Sequence, residues 1–175
     1  MLRKVCLESS FLLFPQNYVL SHAIMYSREE LKLLKKEFWE GFGDYSSSLP
    51  ALQSKRRNFL LHNTRFKGVS LKFDATRDGA YVILEISHRD SARQQRIYDH
   101  FLRYKVILED NFPEGLIWEE MYVLETGQMV SRIYTKHPNL DIHRRSHWPD
   151  FYRFMADAMI RLERNFLDVK SAWSE

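Results

Sequence analysis

The chain has 175 residues, 45% of them hydrophobic and 14% aromatic, with 26 basic and 23 acidic side chains and a formal charge of +3. That length suits one domain with a sizeable core and is too short for two well-buried ones, and the apolar content excludes disorder of the whole. The mild basic excess permits nucleic-acid binding but excludes a tail-like polycation.

Residues 1–24 have neither helical nor strand periodicity, and Glu8 and Pro15 interrupt their short apolar patch. Met25-Tyr26-Ser27-Arg28-Glu29-Glu30 reads as the opening of the fold, because Ser27 and Glu30 have the spacing of a capping box ahead of a periodic helix. Residues 1–24 are therefore expected to be a non-core extension before a natural start at Met25, with 25–175 forming one domain. Leu31, Leu34, Phe38 and Phe42 predict a helix over 28–42, stopped by Gly41 and Gly43, with a serine-rich loop over 44–50. A short strand is predicted at 58–62. The alternation of Val69, Leu71 and Phe73 with Ser70, Lys72 and Asp74 predicts a half-buried second strand. After the Asp78-Gly79 turn, 80–87 is apolar on both faces and should be central.

Asp90 or Ser91 caps a predicted helix running to Asn111, with Ile97, Phe101, Tyr104 and Leu108 inward. Strands follow at 116–125 and 129–136, then a polar connection over 137–145. Ser146 is the expected cap of the last helix, with Pro149 in its first turn. Phe151, Met155, Met159, Leu162, Phe166, Val169 and Trp173 form its apolar stripe. The fold class is α+β: one mixed or antiparallel sheet of about five strands flanked by three helices, in the order α-β-β-β-α-β-β-α.

Its first six elements reproduce the order of the restriction-endonuclease-like core. There an acidic residue on the second strand and a Glu-x-Lys on the third hold Mg²⁺ and activate water. Asp74 and Glu85-Ile86-Ser87 stand at these places, with Ser87 where the lysine belongs. Asp74, Glu85 and His88 are thus the catalytic candidates, Gln94 and Tyr98 would face the same end, and Mg²⁺ is implied only for a nuclease. No metal or other cofactor is otherwise expected; His137, His143 and His147 have near-ligand spacing but straddle two backbone types. Lys55, Arg56, Arg57, Lys67, Lys72, Arg132, Arg144 and Arg145 are the candidates for contacts to nucleic acid, with Phe66 or Tyr81 as a stacking face. The stripe of the last helix also offers a homodimer seam. Cys6 is the only cysteine, which excludes an intramolecular disulfide and points to a reducing, cytoplasmic setting. No apolar run approaches the roughly 18 residues of a membrane helix, so no membrane partner is expected.

From Met25 to about Trp173 the chain resembles a family of bacterial domains of unknown function, found alone or C-terminal to nuclease-like domains. The opening hexapeptide, Lys67-Gly68-Val69, Glu85-Ile86-Ser87-His88, Ser131-Arg132-Ile133-Tyr134 and Trp148-Pro149 carry the resemblance. It implies no catalytic residues. By analogy with its nuclease-like neighbours it implies a non-catalytic, nucleic-acid-associated accessory domain, with a protein-interaction module and a degenerate metal nuclease as alternatives.

Overall fold

The computed structural model describes residues 26–53 and 61–173. The expectations for residues 1–24, for Lys55, Arg56 and Arg57, and for the start of the first strand fall outside the described residues.

Helix α1 (Arg28–Ser48) opens with the expected capping box: Ser27 Oγ accepts from the Glu30 amide at 3.2 Å, and Glu30 Oε2 accepts from the Ser27 amide at 2.7 Å. It then runs through Gly41 and Gly43, which corrects the loop expected over 44–50. Gly41 serves packing rather than termination. A Cβ there would lie 2.6 Å from the hydroxyl of Tyr152 on the last helix. Phe42 and Ser46 keep the buried face beyond it, and Ser46 Oγ donates to the Phe42 carbonyl at 2.7 Å. A four-residue helix, α2 (Pro50–Gln53), follows.

Strands β1 (Leu61–Asn63), β2 (Val69–Ala75), β3 (Gly79–Ile86), β4 (Ile117–Val123) and β5 (Met129–Pro138) form one sheet in the order β1-β2-β3-β5-β4, antiparallel at every pair. Against an expectation of about five strands, four of seven to ten residues carry the sheet, and β1 adds a three-residue rung at its edge. β3 is central, as its two apolar faces require. Val82, Leu84 and Ile86 face the helices together with Leu71 of β2 and Ile133 of β5, all fully buried.

Helix α3 (Ser91–Arg103) is capped by Asp90, whose Oδ1 accepts from the amides of Ala92 and Arg93. The predicted single helix over 90–111 breaks at Tyr104, and α4 (Lys105–Leu108) resumes for one turn. The 3₁₀ turn Arg145–His147 precedes α5 (Trp148–Ser171), so Ser146 lies inside that turn and is not the cap; Pro149 stands in the first turn as expected. The connection read as polar is stitched into the fold: Leu140 and Ile142 are buried, and the Ile142 amide donates to the Thr76 carbonyl.

The helices meet the sheet through aromatic side chains. Phe38 is fully buried, with the rings of Trp39, Trp148, Phe151 and Tyr152 between 5.1 and 5.6 Å away. Complete burial of a ring, as for Phe38 and Phe151, contributes roughly 1.5–3 kcal/mol. The stripe of α5 is spent inside the chain: Phe151, Met155, Met159, Leu162, Phe166 and Val169 are all buried, and Leu167 is its one large apolar side chain that stands more than half exposed. Among the described residues no helix is long and apolar enough to cross a membrane.

Candidate nucleic-acid interface

On α3 the 3.6-residue period turns Ile97, Tyr98 and Phe101 into the core and leaves Arg96 and Arg103, seven residues and two turns apart, on the outer side. The same helix carries His100, which is buried with its Nε2 donating to the Val169 carbonyl of α5 at 2.9 Å. This bond ties α3 to the last turn of α5. Just past that turn Trp173 folds back, and its indole makes edge contacts with His100 at 4.9 Å and with Phe66 at 5.3 Å. A recess of about 270 Å³ results, lined by Arg96, Asp99, His100, Arg103, Ala172 and Trp173. Among the described residues neither arginine makes an ion pair. Asp99 is the single carboxylate among the described residues of the lining, and it accepts a hydrogen bond from Gln95.

A turn brings further positive charge to this end of the molecule. Over 64–68 the chain reverses through positive φ at Arg65 (54°) and Gly68 (88°). Gly68 is required there, since it packs against the backbone of Ser87 and the ring of His88. Thr64 Oγ1 donates to the Val69 carbonyl at 2.6 Å and accepts from the Phe66 amide. The turn is pinned to α5 by Lys170 Nζ, which donates to the Thr64 carbonyl at 2.9 Å, and by Phe66 against Trp173. Arg65 and exposed Lys67 therefore flank the ring that supports the indole.

Four of the other predicted cations, Lys72, Arg132, Arg144 and Arg145, are engaged elsewhere. Lys72 and Arg132 both bond the carboxylate of Glu85, the latter through Nη2 at 3.2 Å, and the Arg132 guanidinium stacks 3.8 Å from the Tyr122 ring centre. Glu85 is 3% exposed and its buried carboxylate is compensated by two cations, so losing one of them leaves the other in place, whereas losing both would leave an uncompensated buried charge at a cost of about 3–5 kcal/mol. Arg144 lies 3.8 Å from Asp141, and Arg145 pairs with Glu37 and stacks over Trp148. Among the described cations selected on sequence, only Lys67 adjoins a residue that touches the recess wall, being next to Phe66. Arg96, Arg103, His100 and Trp173 were not selected. The signal for the arginines was their seven-residue spacing within a helix; for Trp173 there was none, because the apolar period of α5 carries on across its end.

The structure separates the catalytic candidates. In the β2–β3 register Asp74 stands opposite Tyr81 and Glu85 opposite Ser70, an offset of four residues along the strands, or about 14 Å. Two carboxylates at that distance do not reach one cation, whose ligands lie at about 2.0–2.6 Å. His88 is engaged in the turn before α3, its Nδ1 accepting from the Asp90 amide and its own amide donating to Gln94. Gln94 and Tyr98 belong to the helix-covered face, where Gln94 Nε2 points to Ser131 and Tyr98 meets Trp118. Glu85 is on the other face. His143 Nδ1 accepts from Arg77 Nε, and His147 Nδ1 accepts from the Asp141 amide. No group of three or more metal-ligating side chains occurs among the described residues.

Asp74 instead lines a second recess, of about 260 Å³, with Asp78, Glu119, Tyr81, Tyr122 and Tyr134 among its other walls. Tyr134 donates to Glu119 at 3.1 Å; burial, and then the Glu119 charge, push its hydroxyl up to about 12. Three carboxylates against the one guanidinium of Arg132, itself held by Glu85, make this lining net acidic. The stacking role considered for Tyr81 therefore lies in the wrong electrostatic surroundings.

The chain matches the family described as Domain of unknown function (DUF4268) over residues 34–170. It belongs to that family. The segment shared with DUF4268 runs from within α1 to the last turn of α5, so it contains Arg96, His100 and Arg103 and ends three residues before Trp173. No curated protein and no solved structure matches the chain, and the restriction-endonuclease-like reading of this DUF4268 fold has no structural counterpart to rest on.

Proposed function

We propose that this DUF4268 chain is a non-catalytic, nucleic-acid-associated accessory domain whose interface is the surface around Trp173. The observation that carries this reading is the pair of arginines, without ion-pair partners among the described residues, that flanks an aromatic-walled recess beside Lys67 and Lys170. Phosphates would pair with Arg96 and Arg103, which form no ion pair among the described residues, and aromatic faces take bases without regard to sequence. A nuclease reading has less support, because the Glu85 carboxylate is already held by Lys72 and Arg132. Self-association through α5 is not part of the proposal, since its stripe is buried. A reducing, cytoplasmic setting is, on the strength of Cys6 as the only cysteine.

Gel shifts of the full chain with labelled single- and double-stranded DNA, at low and physiological salt and with or without Mg²⁺, test the reading. A salt-sensitive shift without cleavage is expected. Reversing both charges (Arg96→Glu with Arg103→Glu) should weaken binding and flatten the log–log salt slope by about 1.4–1.8, the contribution of two phosphate contacts. Absence of any shift at low salt, or an unchanged slope in the double variant, overturns the proposal. Mg²⁺-dependent cleavage abolished by Glu85→Gln would replace it with the nuclease.

A further inference from the structure

The recess at the end of α5 carries an inference that rests on the nucleic-acid reading and narrows it. We infer that the strand recognised is single, and that one unpaired base enters the recess and lies against the indole of Trp173 with Arg96 and Arg103 on its flanks. A duplex is convex and presents phosphates, sugars and base edges; its base faces are stacked on one another and cannot enter a concavity. Binding a duplex backbone needs only surface cations. Here the cations border a recess of about 270 Å³ whose wall is an aromatic ring, a shape that adds nothing to backbone contact and suits a base that has left its stack.

The wall is preformed. Edge contacts with Phe66 and His100 hold the indole, His100 is itself fixed to the Val169 carbonyl, and Phe66 is backed by Phe101 and Phe166. The ligand therefore meets a site that needs no ordering on binding. The two arginines stand about 10 Å apart along α3, on a helix anchored by Ile97 and Phe101. Guanidinium groups so placed reach the phosphates on either side of an inserted base and, being planar, also pack on its faces. Asp99 between them favours no anion, so charge alone does not explain the recess; the aromatic wall does.

The test is fluorescence anisotropy of the full chain with a labelled ten-nucleotide oligothymidylate and with a duplex of equal length. The single strand is expected to bind at least tenfold more tightly. Trp173→Leu, which keeps an apolar side chain against Phe66, should weaken single-strand binding about tenfold, the loss of one base–aromatic stack, and leave duplex binding unchanged. Equal affinity for both forms, or a single-strand affinity indifferent to Trp173→Leu in a folded variant, overturns this inference while leaving the broader one standing. Binding of neither form removes both. Because Trp173 also packs, the unaltered protein supplies an independent reading: photo-crosslinking to a single strand carrying 5-bromouracil should mark Trp173. Crosslinks confined to other residues would overturn the inference whatever the variant does.

Discussion

His143 shows how a single side chain couples this fold to pH. Its Nδ1 accepts from Arg77 Nε at 2.8 Å, so the neutral ring carries its proton on Nε2, which is buried without a hydrogen-bond partner. Burial holds its pKa below the ordinary histidine value; Asp141, 3.4 Å away, opposes this, and the charges of Arg77 and Lys35 add to the lowering. The unfolded chain thus takes up this proton more readily than the folded one. The stability His143 confers is fully present above the unfolded value of about 6.5 and is lost as pH falls through the lower folded value. Thermal melts between pH 7 and pH 5 should show a falling midpoint, and His143→Gln, which cannot titrate, should make that fall shallower. An identical fall in the variant would assign the dependence to the carboxylates instead. Tyr26 also tethers this point by donating to the His143 carbonyl at 3.3 Å, so loss of the ring's position would be felt where α1 begins.

At the scale of elements, Gly41 reverses an ordinary rule. Alanine is the better helix former by about 1 kcal/mol, yet Gly41→Ala should destabilise the protein by about 1–2 kcal/mol, because the new methyl meets the Tyr152 hydroxyl and that hydroxyl is bonded to the Phe38 carbonyl at 2.9 Å. In a Tyr152→Phe background, where the nearest ring carbon is 3.3 Å from the added methyl, the same change should cost clearly less; urea denaturation of the four proteins in the cycle checks this, and additive effects would refute it. The same glycine explains a limit of sequence reading. The start of α1 was legible because a capping box is local chemistry, and β3 was legible as central because its two faces are both apolar. The end of α1 was not, since Gly41 as a stop and Gly41 as a packing hole differ only by a tyrosine on another helix. The site was hidden for a similar reason. Lys72 and Arg132 look like ligand-binding cations until the strand register sets Glu85 between them, and Trp173 continues a helical stripe in sequence while in space it leaves the helix and settles on Phe66.

Taken whole, the molecule separates its charges in a way that a net of +3 conceals. At one end Arg96 and Arg103 line the recess walled by Trp173, with Lys170 pinning the neighbouring turn, and on the sheet face away from the described helices Asp74, Asp78 and Glu119 share a recess with Arg132 and three tyrosines. The connectivity of the sheet has a different kind of consequence. β2 and β3 form one hairpin and β4 and β5 another, and the eight register pairs between β3 and β5 are the only sheet contact between them. Either hairpin closes over a short turn, but the join between them brings together residues from 45 positions apart, Ile86 and Ser131, to 59 apart, Gly79 and Pro138. The entropy of that closure is spent before the helices gain a complete surface to cover, and we therefore predict that the β3–β5 join forms in the rate-limiting barrier of folding. Ile133→Val, which trims a fully buried side chain on that join, should accordingly slow refolding in stopped-flow experiments and leave unfolding nearly unchanged. Faster unfolding with unaltered refolding would mean instead that the hairpins come together late, after the barrier has been crossed.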